Sequence, residues 1–247
     1  MLQLPFYAAV FAVCIALSFM SAPTCWICGA TADSAEHMVK ASDFRSVFGN
    51  ITQSSPAYRQ SKEHPNQPIR GAKAEILKFA PSLCGYCNST LTQPHDRAWE
   101  TLSESVRGAR PALAAGSRIP LQRIFPGKVK ESMLGVHLYF MKQLGCHAVE
   151  HKIPLPVNHF ALCIQASIPS QALRLVFVNV PAGSSRHKIQ LSPIQTHNIG
   201  GKTVSAVWSY RIETLGVFVS YCEPASPRLT RDRGWHPSDG GTRIVMS

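Results

Sequence analysis

The sequence predicts an α+β fold, and three observations carry that expectation. Two Cys-x-x-Cys pairs, Cys25/Cys28 and Cys84/Cys87, have the spacing that closes on one metal ion and draws remote segments together. Apolar residues recur at helical spacing in His95–Val106 and again in Lys128–His147. Between Leu173 and Cys222, alternating and continuous apolar runs broken by Asn198-Ile199-Gly200-Gly201 read as strands of an antiparallel sheet.

In chain order, residues 1–22 come first. Leu2 to Met20 is almost wholly apolar and about as long as a bilayer span. No Lys or Arg precedes Lys40, and Met20-Ser21-Ala22 is a poor cleavage site. Three readings stay open: translation from Met20, which makes the protein cytoplasmic, a membrane anchor, or an export signal.

Residues 23–107 read as a metal-bound module. Cys25 to Gly29 forms a tight knuckle, Glu36 to Val39 a short extended piece, and Asp43 to Phe48 one helical turn. Asn50 to Arg70, rich in Ser, Pro, Gln and Asn, has the composition of a long surface loop. Lys73 to Leu83 leads back to the second knuckle. A helix starting near Asn88 must be kinked or restarted by Pro94. With Thr92 as cap it continues over His95–Val106 and presents Trp99, Leu102 and Val106 on one face.

Residues 108–118 read as a linker, 119–222 as a basic α+β domain and 223–247, rich in Pro, Gly and Arg, as a flexible tail. In the second domain Lys128–His147 is the helix. Leu173–Val180 is a buried strand, Lys188–Gln195 and Thr203–Ile212 form a hairpin, and Thr214–Cys222 is a further strand.

The formal net charge is +11. Residues 1–110 hold ten Lys/Arg and eight Asp/Glu, whereas residues 111–247 hold fifteen and six. The excess positive charge therefore follows the knuckles, and it points to a polyanionic partner or to a merely solvated basic surface. Of the eight cysteines, Cys14, Cys146, Cys163 and Cys222 are solitary and read as small buried apolar residues.

Four thiolates in two knuckles complete a tetrahedron with no open position, so zinc held by Cys25, Cys28, Cys84 and Cys87 is structural. It would bring together Glu36, His37 and Asn88. On an extended strand Glu36 and His37 face opposite sides, which gives a carboxylate and an imidazole separate tasks. Taken singly, Glu36-His37 reads as a polar pair facing solvent and Asn88 as a helix cap. His137 and His147 read as packed or exposed, and Trp208 and Tyr210 as core residues before base-stacking ones. Arg228, Arg231, Arg233 and Arg243 suit phosphate contact or solubility.

Together, Cys25-x-x-Cys28, Glu36-His37, Cys84-x-x-Cys87-Asn88 and Gln93-Pro94-His95-Asp96-Arg97 resemble the HNH (ββα-metal) nuclease family in its four-cysteine zinc form, over residues 25–107. The resemblance implies a ββα-metal module that hydrolyses phosphodiester bonds in DNA, and RNA stands beside DNA as a second candidate partner. It makes His37 the general base, Asn88 the residue that orients the base or touches the metal, and Glu36 a ligand of a catalytic Mg²⁺ or Mn²⁺. The last motif position falls on Asp96 or His95. Oxygen ligands suit such a hard cation, and a neutral imidazole suits proton removal from water. No small-molecule cofactor is called for. Two rivals stand beside this reading: a non-catalytic zinc module that binds nucleic acid or a protein, and an exported or membrane-tethered nuclease toxin.

Overall fold

The computed structural model describes residues 22–62, 65–109, 114–181, 183, 188–224 and 234–247. The apolar segment 1–21, with Cys14, lies outside them, as do residues 110–113 of the expected linker and Arg228, Arg231 and Arg233. Among the described residues no helix is long and apolar enough to cross a membrane.

The architecture is α+β. Its N-terminal part begins with the first knuckle, where the Cys25 N–H donates to the Ala30 carbonyl at 2.6 Å and the Gly29 N–H to the Cys25 carbonyl at 2.8 Å. Two short extended pieces then pair antiparallel. The Ser34 N–H donates to the Leu83 carbonyl, Phe79 to Glu36 and Met38 to Leu77, all at 2.8 to 2.9 Å. Between these pieces lie helix α1, Ala41–Phe48, and a small hairpin of β1, Ala57–Arg59, with β2, Gln67–Ile69. After the second knuckle a π-helical turn over Cys87–Leu91 runs into α2, Gln93–Arg107. Pro94 sits in the first turn of α2, where its missing N–H costs nothing, so the expected restart becomes the helix start. Two bridged extended pieces thus precede α2 in this part of the chain.

The second part contains β3, Arg118–Pro120, a single turn α3, Leu121–Ile124, the long helix α4, Val129–Glu150, and α5, Val157–Ala166. The main sheet follows: β4, Leu173–Asn179, β5, Ile189–Leu191, β6, Gln195–Ile199, β7, Lys202–Ile212, and β8, Leu215–Cys222. Its order is β4-β8-β7-β5, with β6 also on β7, and every pairing is antiparallel. A last strand, β9, Arg243–Val245, pairs with β3.

Helix α4 is the hub. Every residue from Gly135 to Ala148 is buried, which is the signature of a helix enclosed on all sides. Two glycines permit this crowding. A Cβ at position 135 would lie 2.9 Å from the Ala98 Cβ of α2, and one at 145 would lie 2.6 Å from the Trp26 ring of the first knuckle. One hydrophobic cluster consequently runs from Cys25 through Trp99, Tyr139 and Trp208 to Met246. Buried Asp43 ties α1 to this cluster. It accepts from Trp99 Nε1 at 2.8 Å, from Ser103 Oγ at 2.9 Å and from Tyr210 OH at 3.3 Å, and it pairs with Arg107 at 3.2 Å. Trp208 and Tyr210 are both fully buried on β7 and serve the core, not base stacking.

The expected flexible tail needs correction over 234–247. Trp235 pairs with Leu175, and Ile244 and Met246 are almost fully buried. His236 is enclosed too, its Nε2 donating to the Ser170 carbonyl at 3.0 Å while the Ser170 N–H donates to His137 Nε2 at 3.2 Å. Three large apolar side chains on a short segment outweigh its Pro- and Gly-rich composition. Residue 118 of the expected linker likewise belongs to β3.

Candidate functional site

Two polar clusters stand out, the first within the N-terminal part and the second where that part meets α4. In the first, one sulfur from each of Cys25, Cys28, Cys84 and Cys87 lies within 4.8 Å of the others. Cys28 Sγ and Cys84 Sγ are 3.6 Å apart, far beyond the ~2.05 Å of a disulfide. A tetrahedral zinc with bonds of ~2.3 Å requires sulfurs roughly 3.8 Å apart, so this set fits a metal ion such as zinc. Cys28 is exposed and the other three are buried. The Cys87 N–H points at Cys84 Sγ at 3.4 Å, and this backbone contact pulls the Cys84 thiol down, toward the form that ligates. The knuckle is also held from outside, since Gly85 N–H donates to Asp33 Oδ1 at 2.7 Å and Gln165 on α5 donates to the Ile27 carbonyl.

The second cluster holds the residues expected around a catalytic cation. Glu36 and Asp96 do converge on one positive charge, and that charge is the ammonium of Lys142. Its Nζ lies 2.9 Å from Glu36 Oε2, 2.8 Å from Asp96 Oδ1 and 3.3 Å from Thr92 Oγ1. Lys142 is fully buried on α4. Burial alone would pull its ammonium down, but the Glu36 and Asp96 carboxylates outweigh that and push it above its ordinary value, so it stays charged. The next residue, Gln143, donates to Glu36 Oε1 at 3.0 Å and to the His37 carbonyl at 3.1 Å. Asp96 Oδ2 faces a second cation, Lys40, at 3.0 Å. Burial pushes the Glu36 carboxyl up against the pull of Lys142.

The remaining expected residues surround this cluster. Asn88 donates from Nδ2 to Ser34 Oγ at 2.9 Å and to the Ala35 carbonyl at 3.4 Å, so it pins the strand carrying Glu36 and His37, while its Oδ1 is buried without a partner. His37 is half-buried, and its Nε2 has no partner either. Burial, then Lys78 and Lys40, pull its imidazole down, so it is neutral near pH 7. His95 is buried beside Asp96. Burial and Lys142 pull it down to about 4, and its Nδ1 is unpartnered.

Three participants escaped sequence reasoning: Lys142, Gln143 and Thr92. One signal could have found the first two. Lys142 and Gln143 interrupt a run that is otherwise apolar on all faces of the helix, and lysine is almost never buried unless paired. His137 and His147 are buried and packed, His147 against Phe79 and Trp208, and neither belongs to a ligand cluster among the described residues. Comparisons with protein-family models, curated proteins and solved structures gave no match, so the site is read from its own geometry.

Proposed function

We propose that this chain is a zinc-stapled nucleic-acid-binding protein whose ββα module carries no metal-dependent cleavage chemistry. The observation that carries this reading is the ammonium of Lys142 between Glu36 and Asp96. A divalent cation between those carboxylates would have to displace a charged group that is completely enclosed and held by two carboxylates and a hydroxyl. A scissile phosphate would also have to reach a point covered by α4. In this reading Cys25, Cys28, Cys84 and Cys87 hold zinc, and the cation shapes the module without acting on a substrate. Nucleic acid is the partner because the chain carries net +11, with the excess after residue 110.

A second reading, metal-dependent hydrolysis of DNA, is favoured by the orphaned buried atoms Asn88 Oδ1 and His37 Nε2. Buried polar atoms seldom go unpaired, and a neutral imidazole is the form that accepts a proton from water. It requires α4 to withdraw Lys142 so that Glu36, with Asp96 or His95, can take Mg²⁺ or Mn²⁺.

One experiment separates the two. Supercoiled plasmid is incubated with the purified protein and magnesium or manganese, with His37→Ala in parallel, and binding is followed by fluorescence anisotropy. The first reading expects binding without nicking. Nicking by the wild type that is lost in His37→Ala would overturn it in favour of hydrolysis, and absence of both would remove nucleic acid as the partner.

A further inference from the structure

We infer that the lobe formed by β3, α3, the start of α4 and β9 is the surface that grips the phosphate backbone of duplex DNA. This rests on the nucleic-acid-binding reading and assigns its contact face. In the β3–β9 pair Arg118 lies opposite Val245 and Pro120 opposite Arg243. Burial alternates along both strands, so Ile119 and Ile244 enter the core while Arg118 and Arg243 stand diagonally on the exposed face. The chain then turns through α3, where Arg123 is exposed, and through buried Phe125, to bring out Lys128 and Lys130 at the start of α4. Backbone bonds hold these pieces together. The Leu121 N–H donates to the Thr242 carbonyl at 2.9 Å, Phe125 to Leu121 at 2.8 Å and Lys128 to Phe125 at 3.1 Å.

Five exposed cations therefore stand on a framework anchored by Ile119, Leu121, Phe125 and Ile244, with Glu131 as the exposed acid among them. Their state differs from that of the cations that pair within the chain. Lys40, Lys78, Arg107, Lys142 and Arg174 each neutralise a carboxylate of this chain, whereas none of the five does so among the described residues. Rigidly mounted charges without a carboxylate partner raise the positive potential of this lobe in the free protein, and polyanion phosphates relieve that cost. The positive end of α4, a helix of 22 residues, adds to the same field. A duplex fits better than a single strand because single strands need aromatic platforms for their bases. The exposed rings Tyr58, Tyr86 and Phe218 belong to β1, the second knuckle and β8.

The test measures the affinity of the whole protein for a short labelled duplex as a function of salt. The variant Arg123→Gln/Lys128→Gln/Lys130→Gln is compared with a charge-matched control, Lys62→Gln/Arg70→Gln/Lys73→Gln, whose residues are exposed around the β1–β2 hairpin. Zinc content and melting temperature verify folding of both. The lobe variant is expected to bind roughly 10-fold or more weakly, and to lose about 0.9 from the slope of log affinity against log salt for each phosphate contact removed. The control keeps the wild-type slope. Equal loss in both variants, tighter binding of a single strand than of the duplex, or wild-type affinity in the lobe variant overturns the lobe as the contact face while leaving DNA binding in place. Absence of wild-type binding to any nucleic acid overturns both.

Discussion

The four-sulfur cluster and the Lys142 cluster do the same mechanical task with opposite means. Each gathers groups from remote segments: Cys25, Cys28, Cys84 and Cys87 where a metal ion could sit, and Glu36, Thr92 and Asp96 around the ammonium of Lys142. Soft thiolates would take an ion from solution, so that cluster would make folding conditional on metal. The oxygen cluster takes its cation from α4, and so makes the N-terminal part conditional on the second half of the chain. The difference explains why one continuous core joins the two halves. An ammonium supplied by a packed helix cannot be exchanged without moving the helix.

The largest expected effect breaks the first cluster. Structural zinc contributes apparent free energies of roughly 10–16 kcal/mol in small zinc domains, which matches or exceeds the ~5–15 kcal/mol net stability of a typical protein. Cys87 has no solvent exposure, so the hydroxyl of Cys87→Ser cannot be rescued by water. We expect one zinc per chain by elemental analysis in the wild type. Cys87→Ser should lose both the metal and the cooperative thermal transition seen by circular dichroism, and a strong chelator should do the same to the wild type. A metal-free wild type that melts cooperatively would show that sulfur packing alone holds the knuckles.

Breaking the second cluster should cost less. Lys142→Met leaves the Glu36 and Asp96 carboxylates buried without their shared partner, a change worth about 3–5 kcal/mol. Much of that loss belongs to the stranded charges and not to the ion pairs themselves. Lys142→Met/Glu36→Gln/Asp96→Asn should therefore recover a good part of it in urea titrations. A single variant as stable as the wild type would mean that the ammonium is not the cation that organises these carboxylates.

These two clusters also mark what the sequence made legible. The thiols were visible because each pair is local: three residues fix the bite of a knuckle whatever surrounds it. Glu36 and Asp96 were visible as a pair that wants a cation, but not the identity of that cation. The partner lies 46 residues beyond Asp96 and 106 beyond Glu36, and only the packing of α4 brings it there. Strands β4, β7 and β8 followed from apolar patterning, which depends on neighbours two residues away. The closing segment did not, because Trp235, Ile244 and Met246 lie scattered among Pro, Gly and Arg, with no period to reveal that they share a core. The lobe at β3 and β9 stayed hidden for the same reason: pairing Arg118 with Val245 requires both ends of the second half to meet.

The smallest expected effect sharpens the comparison through pH. Lys142 keeps its proton throughout the acid range, so mild acid does not remove the cation of the second cluster, whereas thiol protonation would release a metal ion held by the first. Histidines around α4 add a separate contribution. Burial, then His236, pulls His137 down to about 3, and burial, then His151, pulls His147 down to about 4. Both are neutral in the folded chain and titrate near 6.5 once unfolded. Their stability is thus fully present above pH 6.5, and below it the unfolded chain takes up protons that the folded chain refuses. Each such histidine should steepen the loss by about 1.4 kcal/mol per pH unit as the pH falls from 6 toward 4. His147 lies against the rings of Phe79, His151 and Trp208, and its Nδ1 has no partner, so His147→Phe keeps the aromatic packing and removes the titration. Urea titrations between pH 7 and pH 5 should show a shallower decline for this variant, at unchanged zinc content. Parallel declines in the two proteins would assign the whole acid sensitivity to the sulfur cluster.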